Sequence, residues 1–321
     1  MRLFVTGGAG YIGSVVVAKL LEAGHHVTVF DDLSTGHREL VPEAAQFVRG
    51  DLLDRNAVQT AMRDGFDAVL HFAAKSLVGE STEHPSLYFG NNIGGAVNLV
   101  DAMREASVPN IVFSSTAAVY GEPEAVPIPE SAPARPTNPY GASKFAIDQL
   151  LGFAARAHGL RAVSLRYFNV GGAYGAQGER HTVETHLIPR ILTAALHGEA
   201  MDVYGTDYPT PDGTAIRDYV HVADLADAHL LALSGGQSGE HRIYNLGNGE
   251  GFSVRQVLEI ARQVTQKRIT ESPRPRRAGD PARLVAASEK ARRELRWKPE
   301  RASLLSIVGD AWAFMTKGQS Q

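Results

Sequence analysis

MRLFVTGGAGYIGSVVVAKLLEAG, residues 1–24, decides the fold. A short apolar run, Leu3-Phe4-Val5, breaks at Thr6 into Gly7-Gly8-Ala9-Gly10-Tyr11-Ile12-Gly13, after which Val16, Leu20 and Leu21 recur at helical spacing. The order is strand, glycine turn, helix. The glycines satisfy both Gly8-x-Gly10-x-x-Gly13 and Gly7-x-x-Gly10-x-x-Gly13. A tight turn, close approach of backbone to a pyrophosphate, and tight packing of helix on strand each call for a missing β carbon. The helix N-terminus then aims unpaired N–H groups and its positive dipole end at the phosphates. A second apolar run, His26-Val27-Thr28-Val29-Phe30, follows the helix and ends in Asp31-Asp32, where a ribose-binding carboxylate is expected.

Working outward, the pattern repeats. Gln46 to Leu52, Ala68 to Phe72, Ile111 to Ser114 and Ala162 to Arg166 read as further strands, separated by helical spacings at about 54–63, 86–107 and 140–158. These strands are unbroken apolar runs rather than period-two patterns, which predicts a parallel sheet covered on both faces, a doubly wound α/β fold. Ligands on such sheets sit beyond the carboxyl ends of the strands. Gly7 to Gly13, Asp31, Asp51, Phe72 to Lys75 and Ser114 to Thr116 are therefore expected to line one crevice. From about residue 170 glycine, histidine and proline cluster and strands thin out, although helical spacing survives at about 184–197, 222–234, 253–264 and 303–317. The expected division is a dinucleotide-binding part over 1–169 and a smaller α/β substrate-binding part over 170–321, with the chain weaving back between them.

Composition narrows the function. With 321 residues, 44% of them hydrophobic, the chain can bury a large core, and a net charge of -3 carries no general footprint for nucleic acid or anionic membrane. The absence of cysteine removes disulfides, thiolate metal sites and a cysteine nucleophile. With no charged leader, signal segment or apolar run of membrane-spanning length, the expected location is the cytoplasm. No pair among the twelve histidines stands with a carboxylate at convincing ligand spacing, so His25, His26, His181, His186 and His221 read as structural or solvated and no metal is expected. The arginines of Arg274 to Arg277, interrupted by Pro275 and preceded by Pro273, read as a local phosphate clamp.

The chemistry lies in Pro139-Tyr140-Gly141-Ala142-Ser143-Lys144, which opens a helix after the fifth strand. Tyr140 and Lys144, four residues apart, project from one helical face. A free tyrosine titrates near pH ~10, and a fixed ammonium nearby favours the phenolate. Ser114-Ser115-Thr116 at the end of the fifth strand can orient a substrate oxygen against that phenol.

Together with His71-Phe72-Ala73-Ala74, Asn91-Asn92, Val119-Tyr120-Gly121, Arg166-Tyr167-Phe168-Asn169, Arg217-Asp218-Tyr219-Val220-His221-Val222 and Arg276-Arg277-Ala278-Gly279-Asp280, these stretches make the whole chain resemble the extended short-chain dehydrogenases/reductases. Within them it is most similar to the UDP-glucose 4-epimerases. The resemblance implies a Rossmann-type fold, NAD as cofactor, a UDP-sugar substrate and a homodimer. The implied reaction interconverts UDP-glucose and UDP-galactose: oxidation at C4, rotation of the 4-keto sugar, and hydride return to the opposite face. It casts Tyr140 as base, Thr116 as partner of the 4-oxygen, and Lys144 as holder of the nicotinamide ribose. Gly7, Gly10, Tyr11, Ile12, Gly13, Asp31, Asp51, Leu52, Phe72, Ala73, Lys75, Asn91, Ser114 and Tyr167 fall, with Tyr140 and Lys144, on cofactor positions. Asn169, Leu187, Tyr204, Arg217, Tyr219, Arg277, Asp280 and Leu284 fall, with Thr116 and Tyr140, on nucleotide-sugar positions. Leucine at 284 implies little room for an N-acetylated ring.

Three alternatives stand beside this reading: turnover of another UDP-sugar, a sister dehydratase or decarboxylase, and a non-catalytic dinucleotide sensor. Dehydration needs an extra acid/base pair, and Thr116 is followed by Ala117-Ala118, which cannot move protons. Retention of Tyr140, Lys144 and Thr116 argues against a sensor.

Overall fold

The structure is a computed structural model that describes residues 1–181, 183–277 and 280–317. Six strands arrive in the first 167 residues: β1 (Arg2–Thr6), β2 (His26–Asp31), β3 (Gln46–Arg49), β4 (Ala68–His71), β5 (Asn110–Thr116) and β6 (Arg161–Tyr167). Helices α1 (Tyr11–Glu22), α2 (Arg55–Met62), α3 (Val78–Glu83), α4 (Pro85–Tyr88), α5 (Gly94–Glu105) and α6 (Pro139–His158) fall between them. Beyond them come β7 (Asn169–Gly171), α7 (Leu187–His197), β8 (Ala200–Tyr204), β9 (Ile216–Arg217), β10 (Tyr219–His221) and α8 (Val222–Ala232). The chain continues through β11 (His241–Leu246), β12 (Phe252–Ser253), α9 (Val254–Thr265), β13 (Thr270–Arg274), β14 (Arg283–Leu284), α10 (Glu289–Glu294) and α11 (Leu304–Lys317).

The main sheet is parallel throughout, in the order β11-β6-β5-β4-β1-β2-β3. Its strands are apolar on both faces because both faces are covered. Leu3, Val5, Val29, Leu70 and Val163 point to a core closed by α1 and α8, whereas Phe4, Phe30, Val69, Phe113 and Ala162 point to one closed by α2, α5 and α6. The strand order reverses between β1 and β4, which opens a crevice at their carboxyl ends. Helix caps fix where the site-bearing helices begin. Asn138 accepts from the Gly141 amide (2.9 Å) ahead of Pro139 at the first turn of α6, and that helix ends at Gly159 in the left-handed conformation (φ 71°).

The structure refines four sequence expectations. The third strand stops at Arg49 rather than Leu52: a β carbon at Gly50 would lie 2.4 Å from the Phe30 ring, and Asp51 turns the chain by accepting from the Leu53 amide (2.8 Å). The helix expected over 86–107 is α4 and α5 joined through a wider π turn at Phe89–Ile93. The helix expected from 184 starts at Leu187, because Glu184 accepts from the His186 amide (2.7 Å) and holds the chain outside the helix. A seventh main-sheet strand, β11, had no clear sequence signal, since only Ile243, Tyr244 and Leu246 in it are apolar.

Around β7 and β10, β12-β9-β14 and β13-β8 lies a second group of short pairings, with a core of its own from α7, α9 and α11. No helix among the described residues is long and apolar enough to cross a membrane.

Candidate active site

The glycine turn shows which of its missing side chains the protein itself requires. Gly7 has φ 74°, and a β carbon there would meet the Ala73 amide at 2.4 Å; at Gly13 it would meet the Gly7 carbonyl at 2.2 Å. At Gly10 the nearest atom would be 3.4 Å away, an ordinary contact. Nothing in the chain demands glycine at 10, so its bare backbone is a cradle facing outward, as a pyrophosphate at the N-terminus of α1 requires. Tyr11 and Ile12 continue into the helix, and the buried Tyr11 hydroxyl donates to the Gly172 carbonyl (2.6 Å). Asp31 ends β2 beside the turn, its two carboxylate oxygens accepting from the Ala9 (3.0 Å) and Leu33 (2.9 Å) amides. Burial raises its pKa against those bonds. The residues present fit a dinucleotide.

The other expected cofactor residues follow along the strand ends. Phe72 and Ala73 donate their amides to the Thr6 carbonyl (2.9 and 3.2 Å). Asp51 is exposed and Leu52 half-buried where β3 has ended. Asn91 is half-buried in the π turn, and the Lys75 backbone is pinned by the neighbouring Asn92.

The expected catalytic group stands at the end of β5. Thr116 caps the short turn after the strand, its Oγ1 accepting from the Ala118 amide (3.1 Å). Lys144, buried, donates from Nζ to the Ser114 carbonyl (2.8 Å), and the Ser114 hydroxyl accepts from Tyr167. The expectation that Lys144 draws the Tyr140 phenol toward neutrality needs correction. Burial dominates both groups: it raises Tyr140, with Thr116 opposing it, and pulls Lys144 down to about 7 against the Asp148 carboxylate. The ammonium lies 6.0 Å from the centre of the phenol ring and points at the strand carbonyl.

On the other side of the crevice the expected nucleotide-sugar residues gather by pairing. Asn169 faces Tyr219 across β7 and β10, and Arg217 faces Leu284 across β9 and β14. Arg217 forms an ion pair with Asp280. The Arg277 guanidinium lies 4.1 Å above the centre of the Tyr204 ring, and Leu187 packs at the edge of the core that holds Tyr219. The Tyr219 hydroxyl is buried without a partner among the described residues, and Leu284 packs with Val119, Tyr120 and Phe168, just past Thr116. Of the expected clamp, Arg274 and Arg276 are taken up by Asp202 and Asp207 (2.9 and 2.8 Å), whereas Arg277 lies over the Tyr204 ring. Ala278 and Gly279 lie outside the described residues.

Several residues that organise this site were given no role in the sequence reading, although all of them but Asp148 stand in the stretches quoted there. Asn92 receives the Lys75 amide (2.9 Å) and donates to the Lys75 carbonyl (3.1 Å) and the Ser143 hydroxyl (3.0 Å), locking the β4 loop to the catalytic helix. Beneath Lys144, Asp148 accepts from Arg166 (2.8 and 3.0 Å) and Ser115 (3.2 Å), and Arg166 donates to Tyr120 (3.1 Å). Asp218, fully buried, accepts from the amides of Asn248 (2.6 Å), Gly249 (3.0 Å) and Ala286 (3.0 Å), so that the loop after β11 and the segment after β14 close on the junction between β9, which carries Arg217, and β10, which carries Tyr219. Buried polar groups must find partners, and the one available signal was their polarity within apolar surroundings. A second correction concerns the histidines. His181 and His186 do stand with carboxylates, Glu179 and Glu184, through contacts that residue spacing did not suggest.

The geometry agrees with that of known proteins. A UDP-glucose 4-epimerase of Corynebacterium glutamicum is 56% identical over 316 residues, covering 98% of this chain and 95% of that protein. A crystal structure of a UDP-glucose 4-epimerase superposes with a TM-score of 0.96 at 46% identity, covering 99% of this chain and 98% of that one. Another, from Brucella ovis in complex with NAD, does so with a TM-score of 0.93 at 43% identity, covering 98% of each chain. The family model described as NAD dependent epimerase/dehydratase matches residues 3–247, the span from the glycine turn through the catalytic helix to the last strand of the main sheet. Fold, crevice and relatives coincide, and this chain belongs to the NAD-dependent epimerase/dehydratase family.

Proposed function

We propose that this protein interconverts UDP-glucose and UDP-galactose by reversible oxidation at C4. The observation that carries this reading is the placement of Tyr140, Thr116 and Lys144 between two binding surfaces. One is the glycine cradle with Asp31; the other is built by Tyr204, Arg217, Tyr219, Arg277 and Asp280. NAD, bound along the first surface, supplies the acceptor and donor for the C4 hydride. Tyr140 takes the proton of the 4-hydroxyl as the carbonyl forms and returns it to the 4-oxygen once the rotated ketone has presented its opposite face, so that the reaction ends without net redox change. Thr116 orients the 4-oxygen against the phenol. Lys144, anchored on Ser114, is placed to hold the nicotinamide ribose. Arg217 and Arg277 supply forked donors for the pyrophosphate. Asp31 selects NAD over NADP, because its carboxylate accepts ribose hydroxyls and repels a 2′-phosphate.

Leu284, packed against Val119 and Phe168, narrows the space for the sugar and supports glucose and galactose over their N-acetylated forms. A homodimer is supported by the exposed apolar side chains of Val97 on α5 (41% exposed) and Phe153 on α6 (65% exposed). Light scattering of the purified protein gives its mass directly.

The test is incubation of the purified protein, without added cofactor, with UDP-galactose, UDP-xylose, UDP-glucuronate and UDP-N-acetylglucosamine, with products read by NMR. Conversion of UDP-galactose to UDP-glucose is expected. Failure on that substrate with turnover of another moves the activity to that sugar, and release of NADP on denaturation overturns the cofactor assignment.

A further inference from the structure

Glu179, His181, Glu184 and His186 lie between β7 and α7, and each offers one ligand atom to a common point, all four within 4.8 Å of one another. His181 Nδ1 stands 3.1 Å from Glu179 and 3.3 Å from Glu184; His186 Nδ1 stands 2.8 Å from Glu179 and 3.0 Å from Glu184. The two rings are 5.3 Å apart and tilted by 43°, so both Nδ1 atoms converge rather than stack. Each imidazole nitrogen carries at most one hydrogen. Two rings therefore have two protons for four close N···O contacts, and hydrogen bonding accounts for half of them. Around a cation with nitrogen and oxygen ligands at ~2.0–2.1 Å, the corners of a tetrahedron lie roughly 3.3–3.4 Å apart. The observed spacings need only expand slightly to reach it.

The donor set selects the cation. Two imidazoles and two carboxylates, without thiolate, suit zinc and its first-row neighbours better than calcium or magnesium, which take oxygen ligands at higher coordination. Two carboxylates also cancel the charge of a dication. Glu179 is 9% exposed and Glu184 21%, an enclosure in which paired charge must be compensated.

We propose that Glu179, His181, Glu184 and His186 form a four-coordinate site for a divalent first-row transition cation, with zinc the best match. Its place in the fold gives it a positioning role. The same stretch carries the Arg180 carbonyl, 2.7 Å from His37 Nε2, and Arg180 pairs with Glu39 (3.7 Å). His186 immediately precedes α7, whose first residue, Leu187, is an expected substrate contact. A cation here ties the loop beside Tyr11 of the glycine turn to the start of the helix on the substrate side.

Protons provide a signature. In the absence of a cation, hydrogen bonds to Glu179 and Glu184 raise His181 to about 9, and the same carboxylates overcome burial to raise His186 to about 10. The other polar groups facing the cluster are Tyr11, whose pKa burial raises, and Arg180, Glu39 and His37, which lie outside the ring of ligands. Cation binding releases protons, since only neutral imidazoles ligate.

The experiment strips the purified full chain, with its bound cofactor, using dipicolinate, and then titrates it with Co²⁺ in weak buffer. Expected are about one cobalt per chain, the intense visible absorption of tetrahedral Co²⁺, and displacement by Zn²⁺. Glu184→Gln, which keeps the side-chain volume, is expected to weaken binding at least ~10-fold, and His181→Ala/His186→Ala to abolish the spectrum. Circular dichroism of each variant confirms that it folds. A weak octahedral cobalt spectrum, or equal binding by wild type and folded Glu184→Gln, overturns the site and leaves an ion-pair network.

Discussion

The two walls of the crevice are built on different principles. On the cofactor side, β1, β2, β4 and β5 are consecutive strands of one parallel sheet, so every loop at their carboxyl ends opens to the same edge. Backbone shape does most of the work there, as Gly7 and Gly13 show. On the nucleotide-sugar side, strands of two to five residues carry the ligand-facing groups, and β9, β10 and β14 hold together around one buried carboxylate, Asp218, and one ion pair, Arg217–Asp280. The first wall is robust to loss of a single side chain and the second is not. Catalysis and assembly are accordingly separable by mutation.

The sharpest separation is expected from Tyr140→Phe, which removes the proton acceptor while leaving the sheet edge intact. Turnover should fall at least ~10²-fold with little change in melting temperature. Near-normal kcat would remove the phenol from the mechanism. On the opposite wall, Asp218→Ala leaves three amides without an acceptor, that of Ala286 buried and those of Asn248 and Gly249 nearer the solvent, and should lower stability by about 1–3 kcal/mol, read from denaturant unfolding. An unchanged midpoint would show that the loops around Asp218 close without it.

Arg217→Ala strips a forked donor from the same wall and should raise KM roughly 10-fold while kcat changes less, the pattern of lost binding common to ground and transition states. An equal loss in kcat would move Arg217 into the chemistry. Leu284→Ser should raise kcat/KM for UDP-N-acetylgalactosamine about 5-fold or more relative to UDP-galactose, in line with ~1–3 kcal/mol for overfilled space. Equal wild-type values for the two sugars would show that Leu284 does not restrict the pocket.

Lys144 gives a test by pH, because its folded value of about 7 lies below that of a free lysine. The unfolded chain then binds the extra proton between pH 7 and about 10, so this group's contribution to stability rises with pH across that window and is least below it. Lys144→Met should lose activity, because the contact to Ser114 that positions the side chain is gone. Its melting temperature should equal or exceed that of the wild type at pH 7, and the difference should shrink as pH approaches 10. A variant that melts lower at pH 7 would show that the bond to Ser114 outweighs the burial of charge.

Much of this was legible in the chain. The glycine turn, Asp31, and the Tyr140/Lys144 pair followed from spacing, because a strand followed by a turn and a helix leaves its turn at one edge of the sheet, and because i and i+4 share a helical face. The order of apolar runs identified six main-sheet strands within a few residues. Not legible were the partnerships that reach far along the chain. Asn92 reaches Ser143 across 51 residues, Asp218 reaches Ala286 across 68, and β11 joins the sheet beside β6 from 77 residues further on, as His241 to Ser164 shows. The spacing of Glu179 to His186 matched no helical or extended ligand pattern, so only the irregular path between β7 and α7 brings those four residues together.

By itself, then, the sequence determined everything that repeats locally: the hydrophobic period, the caps, the glycine turn and the one-turn separation of Tyr140 from Lys144. Tertiary structure alone decided the charge states and the second wall. Tyr140 rises and Lys144 falls because burial removes water from both, a quantity no spacing records. Arg217, Tyr219, Arg277 and Asp280 meet only because short strands close around a carboxylate whose partners are chosen by three-dimensional proximity rather than by order along the chain.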